Sequence, residues 1–512
     1  MNYADLFRST LPETALEVAA LLVLVIDLTF LRSAALKLRA AVASLVGVAG
    51  CAAGLWALGA AGTAGFSYDG AALLSGGGYT AVAQSAILVL TALTLLLLID
   101  STFTRHVGEY VAVVLMAAAG GLIISAAQDL IVIFIGLELL SLGLYILTAF
   151  AKASGKSAEA AIKYYLFGGM SAAFLLFGFS YLYGIAGSTN LQTIVLHTYF
   201  SATPIATPLL YVALVMIAAG LGFKVAAVPF HLWAPDTYEG APAPGAAFIA
   251  SVSKVASFAL LIGIGTAMLH LFGTVHVGRV LTITVMQTAS KYLGLQEPWA
   301  LILTLFAVAS MVLGNLAALV QTSVRRLLAY SAIAHAGYVL LGLAFFSRTP
   351  RSAEAILYYV LTYGLTTVGA FAVVDVVERA TGSDRMDAFL GLHKRNPLVA
   401  GVLLVLFLSL AGIPPLVGFW AKFNLFAAVL GVSQGVVPFT LVALAVAFSA
   451  VSLYYYLQVL KRAYVMPAVD ESPLKASPVA LLVVLAIGAA VVVLGCFPAL
   501  LGGWINGFFP AM

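Results

Sequence analysis

The chain has 512 residues, of which 63% are hydrophobic and only 9% are charged, and its formal net charge is +4. Soluble proteins carry about 25% charged residues, so this composition excludes a soluble protein and indicates an integral membrane protein. The mean hydropathy of +1.10 supports the same class. No loop is long enough to fold as a soluble domain, so we predict one all-α membrane domain over residues 1–512.

The predicted helices follow from the apolar runs. A membrane-spanning helix needs about 20 apolar residues, and the sequence contains about fourteen such runs. They lie near residues 12–31, 40–61, 80–100, 109–127, 129–150, 158–186, 207–232, 243–272, 298–320, 326–346, 353–378, 397–428, 437–460 and 478–501. Helices 1 to 3 fall within residues 1–105 and helix 14 within residues 463–512.

Basic residues predict the orientation in the membrane. With an even number of spans, fifteen lysines and arginines fall in the loops of one side and five in those of the other. Because cytoplasmic loops carry the excess of positive charge, we predict that both termini lie on the side of the membrane opposite the cytoplasm. The four remaining basic residues of the 24 lie inside apolar runs, and all are lysines.

The first charge in mid-span is Glu138 in segment 5, with no other charge within eight residues on either side. An ionised carboxylate there costs several kcal/mol unless it is paired or protonated. Glu138 is therefore either a neutral acid held by a nearby hydroxyl or an acid paired with an intramembrane lysine. In segment 6, Lys163 lies about one turn inside the membrane, where it either faces the interior or extends to the interface.

Segments 7 and 12 each contain prolines that break a helix. Lys224 is followed by Pro229 and His231, and Pro414 and Pro415 are followed by Lys422. Proline removes a backbone donor and interrupts the helix, and in hydrocarbon the freed backbone groups must be satisfied by protein or water. We therefore predict polar cavities at both breaks. The alternative for Lys422 is a helix end that faces water.

The two breaks lie five spans apart, and so do two similar helix starts, Ser157-Ala158-Glu159-Ala160 and Ser352-Ala353-Glu354-Ala355. Five is odd, so a second five-helix unit must lie inverted in the membrane. We predict a first repeat over residues 106–272, with helices 4 to 8, and an inverted second repeat over residues 298–462, with helices 9 to 13. Inverted repeats with interrupted helices are typical of ion pathways in transporters.

Two further buried groups lie in segments 8 and 10. Lys254 is surrounded by serines that could solvate an ammonium group. His335 is either a packing residue or part of a proton relay. Lysine can lose its proton when desolvated, whereas arginine stays charged, so the buried set predicts proton transfer. The sequence has no nucleotide or redox motif, so energy must come from an ion gradient or a partner.

Several motifs resemble the antiporter-like subunits of proton-pumping NADH:quinone oxidoreductase, respiratory complex I. They include Gly222-Phe223-Lys224, Val228-Pro229-Phe230-His231-Leu232-Trp233, Gly136-Leu137-Glu138, Ala334-His335-Ala336-Gly337-Tyr338 and Gly412-Ile413-Pro414-Pro415. Within this superfamily the chain is most similar to the subunit N family, because it has a lysine at position 422 and no long lateral helix after segment 14.

The resemblance implies a role for each matching residue. Glu138 and Lys224 would form a switching pair that Lys163 modulates, Lys254 would be the central relay, and Lys422 would face the exit. His231 and His335 would line the axis between them. The resemblance also implies that NAD, FMN, iron–sulfur clusters and quinone bind in partner subunits, with no cofactor in this chain.

The expected partners are the other membrane subunits of that complex, especially neighbouring antiporter-like and small membrane subunits, together with the lipid bilayer; we expect no nucleic acid. Two alternatives remain at this point. One is a subunit of a multisubunit sodium/proton antiporter without a redox partner, and the other is a structural scaffold that does not need Lys224 or Glu138.

Overall fold

The computed structural model describes residues 3–61, 65–68, 70–200, 206–270, 296–346, 350–432, 435–468 and 472–509. Three of the five basic residues assigned to the periplasmic side, Arg279, Lys291 and Arg348, lie outside these ranges.

The chain up to residue 270 forms the helices of the N-terminal region and of the predicted first repeat. They are α1 (Tyr3–Ser9), α2 (Leu11–Val25), α3 (Leu36–Ala61), α4 (Gly78–Leu98), α5 (Val107–Ala126), α6 (Leu130–Ala149), α7 (Gly155–Ala186), α8 (Leu191–Phe200), α9 (Ala206–Val225), α10 (Trp233–Gly240), α11 (Ala243–Ala250) and α12 (Val252–His270). A π-helical turn, Ile26–Phe30, extends α2. Between α3 and α4, strands β1 (Phe66–Tyr68) and β2 (Ala71–Leu74) form an antiparallel hairpin with Tyr68 opposite Ala71.

The rest of the chain forms the helices of the predicted second repeat and the C-terminal region. They are α13 (Gln296–Ala318), α14 (Val324–Ala344), α15 (Pro350–Thr381), α16 (Leu392–Arg395), α17 (Pro397–Ala411), α18 (Val417–Val432), α19 (Val436–Tyr464), α20 (Pro478–Cys496) and α21 (Pro498–Asn506).

Within the described ranges, twelve helices are long and apolar enough to cross a membrane. The other two predicted segments consist of shorter pieces, namely α2 with its π-helical turn and α17 with α18. Segment 8, predicted as one helix, is interrupted at Ser251, between α11 and α12. The all-α membrane fold is confirmed, while the number of fourteen spans stays a prediction.

Several helices begin where a polar side chain caps the free N–H groups of the first turn. The Asp129 carboxylate accepts from the Ile131 N–H at 2.9 Å, and the Ser323 hydroxyl accepts from the Arg326 N–H at 3.2 Å. Such caps stabilise a helix by about 1 kcal/mol. They fix the starts of α6 and α14, which carry two of the candidate residues.

The interior of the protein lies around α11, α12, α14 and α15. In the most apolar stretch of span Ala243–Met268, 94% of the residues are buried, against 22% in span Val436–Tyr464. Glycine allows α14 to approach α13 closely, because a Cβ at Gly314 would lie 2.7 Å from the Ala334 backbone nitrogen. His335, the residue after Ala334, is buried inside the bundle.

Candidate functional site

The prediction of a break at Pro229 is confirmed, because α9 ends at Val225 and α10 begins only at Trp233. Other parts of the protein bind the backbone groups that the break leaves free. The Val228 N–H donates to the Ser310 hydroxyl at 2.9 Å, and the Trp233 indole N–H donates to the Phe223 carbonyl at 3.0 Å. The interruption is therefore a built element of the interior, as expected for irregular backbone at membrane depth.

Lys224 lies in the last turn of α9 and is buried. Its ammonium donates to the hydroxyl of Ser141 on α6 and lies 5.5 Å from the centroid of the Phe223 ring. Glu138 lies one turn before Ser141 and acts electrostatically on Lys224. No hydrogen bond joins the two groups among the described residues, so the Ser141 hydroxyl is the direct partner of the ammonium.

Lys254 is the most deeply buried of the candidate lysines, with only 2% of the residue exposed. Its ammonium donates to the carbonyl of Val225, the last residue of α9. It also lies 6.0 Å from the centroid of the Trp233 ring, which begins α10. Lys254 therefore occupies the gap between the two halves of the interrupted helix.

The second predicted break is also confirmed, because α17 ends at Ala411 and α18 begins at Val417, with Pro414 and Pro415 between them. Gly412 adopts the left-handed conformation, with φ at 89°. The N–H of the next residue, Ile413, donates to the Leu408 carbonyl at 3.0 Å. This arrangement is the Schellman motif, which ends many helices and uses glycine at the left-handed position.

Lys422 on α18 turns back to the carbonyl end of α17. Its ammonium donates to the carbonyls of Leu410 and Ala411 at 3.0 and 2.9 Å, and to the Ser449 hydroxyl at 2.7 Å. Lys422 is buried, so the alternative of a helix end that faces water does not describe it. Because the C-terminal end of a helix carries free carbonyls and partial negative charge, both breaks place an ammonium where it is electrostatically favoured.

His335 is buried on α14 among aromatic side chains. Its Nδ1 atom is 2.8 Å from the Tyr359 hydroxyl, and its ring packs against the rings of Tyr338 and Tyr363. Its Nε2 atom is buried and has no hydrogen-bond partner in the part of the chain that the structure describes. The Lys422 ammonium lies 5.4 Å from the centroid of the Tyr338 ring and acts electrostatically on His335. The structure thus brings His335 and Lys422 into one cluster.

His231 lies inside the first break, between α9 and α10, and is buried. Its Nδ1 atom has no hydrogen-bond partner within the described ranges. Buried polar atoms are almost always hydrogen-bonded, to water if not to protein. The free ring nitrogens of His231 and His335 are therefore positions at which water can be held in the interior.

Lys163 is placed differently from the other lysines. Its ammonium binds the Glu159 carboxylate at 2.6 Å and the Asp236 carboxylate at 2.8 Å, and 41% of its side chain is exposed. Asp236 also binds Arg326, at 2.6 Å. Partial burial raises the pKa of Asp236, but the hydrogen bonds from Lys163 and Arg326 outweigh this effect and lower it. Lys163 thus belongs to an ion-pair network that ties α7, α10 and α14 together, apart from Lys224.

Sequence reasoning missed the residues that hold the ammonium and imidazole groups. Ser141 lies three residues after Glu138, but nothing in the sequence marks it as a ligand of Lys224. Ser449 and Tyr359 lie in ordinary apolar helices and give no signal in the sequence. Among the described residues, no three His, Cys, Asp or Glu side chains form a group that could hold a metal ion.

Comparison with known proteins adds independent information. Residues 127–277 and 265–449 match the family model described as "NADH:quinone oxidoreductase/Mrp antiporter, TM". Among curated proteins, the chain is 47% identical to "NADH-quinone oxidoreductase subunit N 2" of Acidobacterium capsulatum, over 99% of both chains.

Solved structures with the same fold include a chain of respiratory complex I from Thermus thermophilus with bound aureothin. It is 31% identical with a TM-score of 0.74, and the match covers 96% of this chain and 98% of that one. A chain of the Mrp complex from Dietzia is 20% identical with a TM-score of 0.77, over 100% of this chain and 98% of that one. The latter likeness concerns the fold alone.

Proposed function

Because the chain belongs to the family of membrane subunits shared by NADH:quinone oxidoreductases and Mrp antiporters, we propose that it is a subunit N of a bacterial proton-pumping NADH:quinone oxidoreductase. The relative named subunit N matches it over nearly the whole length of both chains. In this proposal the chain is the translocase part of the enzyme. It moves protons across the membrane, driven by quinone reduction in other subunits.

The observation that carries the proposal is how the three buried lysines are held. The acceptors that the ammonium groups bind are all neutral: Ser141 for Lys224, the Val225 carbonyl for Lys254, and two carbonyls with Ser449 for Lys422. A lysine without a bonded carboxylate can lose its proton without leaving an unpaired anion behind. A serine hydroxyl can accept from an ammonium and donate to the resulting amine.

Lys163 is the counterexample within the same chain. Two carboxylates bind it, so removal of its proton would leave a surplus of negative charge. We therefore assign Lys163 an electrostatic and structural role at the membrane surface, and the proton-carrying role to Lys224, Lys254 and Lys422. Glu138 modulates Lys224 by its charge, as the electrostatic interaction between the two supports.

The order of transfer follows the positions of these groups. Lys224 lies directly before the first break and Lys254 in its gap, and His335 and Lys422 form the cluster at the second break. His231 lies in the first break, where its free nitrogen can hold water. Protons would enter through one inverted unit and leave through the other, which corresponds to the two half-channels expected from inverted repeats.

The partners follow from the same proposal. NAD, FMN, iron–sulfur clusters and quinone would bind in other subunits, and neighbouring antiporter-like and small membrane subunits would surround this chain. The chain would lie in the bacterial inner membrane with both termini on the periplasmic side, as the distribution of basic residues supports.

The test replaces Lys224 by arginine or alanine in the assembled complex. Arginine keeps the charge but cannot release its proton in a protein, so both variants should lose quinone-coupled proton pumping while NADH oxidation by an artificial acceptor persists. Lys152→Ala, at an exposed lysine, is the matched control. An assembled Lys224→Arg complex that pumps at the wild-type rate would refute the relay and favour a structural scaffold.

Purification in mild detergent distinguishes the proposed function from the remaining alternative, a subunit of a multisubunit sodium/proton antiporter. A large assembly that oxidises NADH with quinone supports the proposal. An assembly of small membrane proteins that exchanges sodium for protons would instead identify an Mrp-type antiporter.

A further inference from the structure

A cavity of about 530 Å³ opens at the end of the bundle where α15 begins and where α18 and α21 end. Its polar lining consists of Arg351, Glu354, Tyr358, Asn424 and Asn506. This volume is ample for several water molecules, and polar walls of this kind hold water in protein interiors. The orientation that we predict from the distribution of basic residues puts this end on the periplasmic side.

Two of the helices that line the cavity, α15 and α18, also carry Tyr359 and Lys422 of the second cluster. Tyr358 is only 3% exposed, and its hydroxyl has no hydrogen-bond partner among the described residues. The next residue, Tyr359, is bonded to His335, and Asn424 lies two residues after Lys422 on α18. The cavity therefore lies beside two of the helices that hold the His335–Lys422 cluster, and an unpartnered buried hydroxyl lies in its wall.

Glu354 is the only carboxylate among the residues described in this lining. With the Asn506 amide in its hydrogen-bonded orientation, the amide nitrogen donates to the two carboxylate oxygens at 3.0 and 3.2 Å. Arg351 acts on Glu354 electrostatically, but Glu354 forms no ion pair within the described ranges. It is half-buried, so its carboxylate reaches the cavity while an amide from α21 holds it in place.

The predicted repeat explains why the Glu354 carboxylate has no ion-pair partner within the described ranges. Glu354 corresponds to Glu159, and the sequence after Glu354 matches that after Glu159 with one residue deleted. Aligning the two isoleucines and the two tyrosine pairs places the deletion at an alanine and sets Leu357 opposite Lys163, the residue that pairs with Glu159 at 2.6 Å. The second copy thus keeps the acid and lacks its lysine.

We propose that Glu354 is the proton-carrying carboxylate of the exit path, an inference that rests on the proposed function. The Lys422 ammonium releases a proton and becomes an amine. Water in the cavity passes this proton to the Glu354 carboxylate, which becomes a carboxylic acid. Glu354 then gives the proton to water outside and is a carboxylate again, while Lys422 is recharged from the relay.

The test uses the whole complex reconstituted in liposomes, with proton pumping normalised to NADH oxidation by an artificial acceptor. Glu354→Gln keeps the size and the acceptor oxygen but cannot carry a proton, so pumping should fall to the level of Lys422→Ala. Glu354→Asp should retain most of it, because a titratable group is preserved. Combining Glu354→Gln with Lys422→Ala should cause no further loss, since both act on one path. Asp5→Asn, at an exposed acid that does not line the cavity, is the control.

Wild-type pumping in Glu354→Gln, together with lost pumping in Lys422→Ala, overturns this inference and leaves the proposed function standing. Wild-type pumping in both variants refutes the proposed function as well. If Glu354→Gln does not assemble, Glu354→Ala replaces it, and an assembled Ala variant that pumps normally overturns the inference in the same way. Equal losses of pumping in the Gln and Asp variants also overturn it, because a titratable carboxylate at this position would then not preserve pumping.

Discussion

Replacement of Gly412 by alanine tests whether the end of α17 and Lys422 depend on each other. Gly412 has φ at 89°, in the left-handed region, and a Cβ there would lie 2.9 Å from Lys422 Cδ and 3.3 Å from Lys422 Nζ. The substitution therefore has two effects. It strains the backbone that ends α17, and it pushes away the ammonium that binds the free carbonyls.

The backbone effect has a known size. Holding an L-residue in the left-handed conformation costs about 1–2 kcal/mol, so we expect the free energy of unfolding to fall by at least that amount. Gly401 provides the control, because it lies within the same helix and a Cβ there meets nothing within 4 Å. Gly401→Ala should raise helix stability by up to about 1 kcal/mol, so the two variants should shift stability in opposite directions.

Thermal unfolding of the purified complex in detergent, followed at this subunit, measures the two shifts, and proton pumping in liposomes measures the displacement of Lys422. We expect Gly412→Ala to unfold at a lower temperature than the wild type and to pump more slowly. Gly401→Ala should pump normally. If Gly412→Ala is as stable as Gly401→Ala and pumps at the wild-type rate, then glycine is not needed to end α17, and the position of Lys422 does not depend on it.

Two further predictions concern the surface network and the His335 cluster. Asp236→Asn removes two partly exposed ion pairs and should lower stability by about 1 kcal/mol at neutral pH. Because the pKa of Asp236 is lowered, this difference should disappear as the pH falls through that lowered pKa; a difference that persists in acid would contradict the assignment. Tyr359→Phe leaves the buried His335 Nδ1 without its partner and should lower stability by about 1–3 kcal/mol; an unchanged unfolding temperature would contradict it.

The interruptions of the helices were predictable because they depend on local chemistry. Pro229, Pro414 and Pro415 remove backbone donors wherever the chain folds, and the structure breaks both helices there. The interruption at Ser251 was not predictable. No proline marks it, and the sequence around it is compatible with a continuous helix.

The burial of Lys224, Lys254 and Lys422 was also predictable, because each lies well inside an apolar run. Their partners were not, since these come from residues distant in the chain. Ser449 is 27 residues from Lys422, and the Val225 carbonyl is 29 residues from Lys254. Lys163 illustrates this limit. Its position in the sequence left two orientations of the side chain open, and only its bond to Asp236, 73 residues away, distinguishes them.

The carbonyl ends that Lys254 and Lys422 bind have a consequence for how charge and shape are linked. A continuous helix uses nearly all of its acceptors internally, so the arrival or departure of a proton beside it leaves its backbone bonding unchanged. Val225 and Ala411 instead offer their oxygens to a side chain whose donor count and charge vary with one proton. Each interrupted helix therefore has an end that senses protonation, and a proton moving past it alters the forces on the backbone itself.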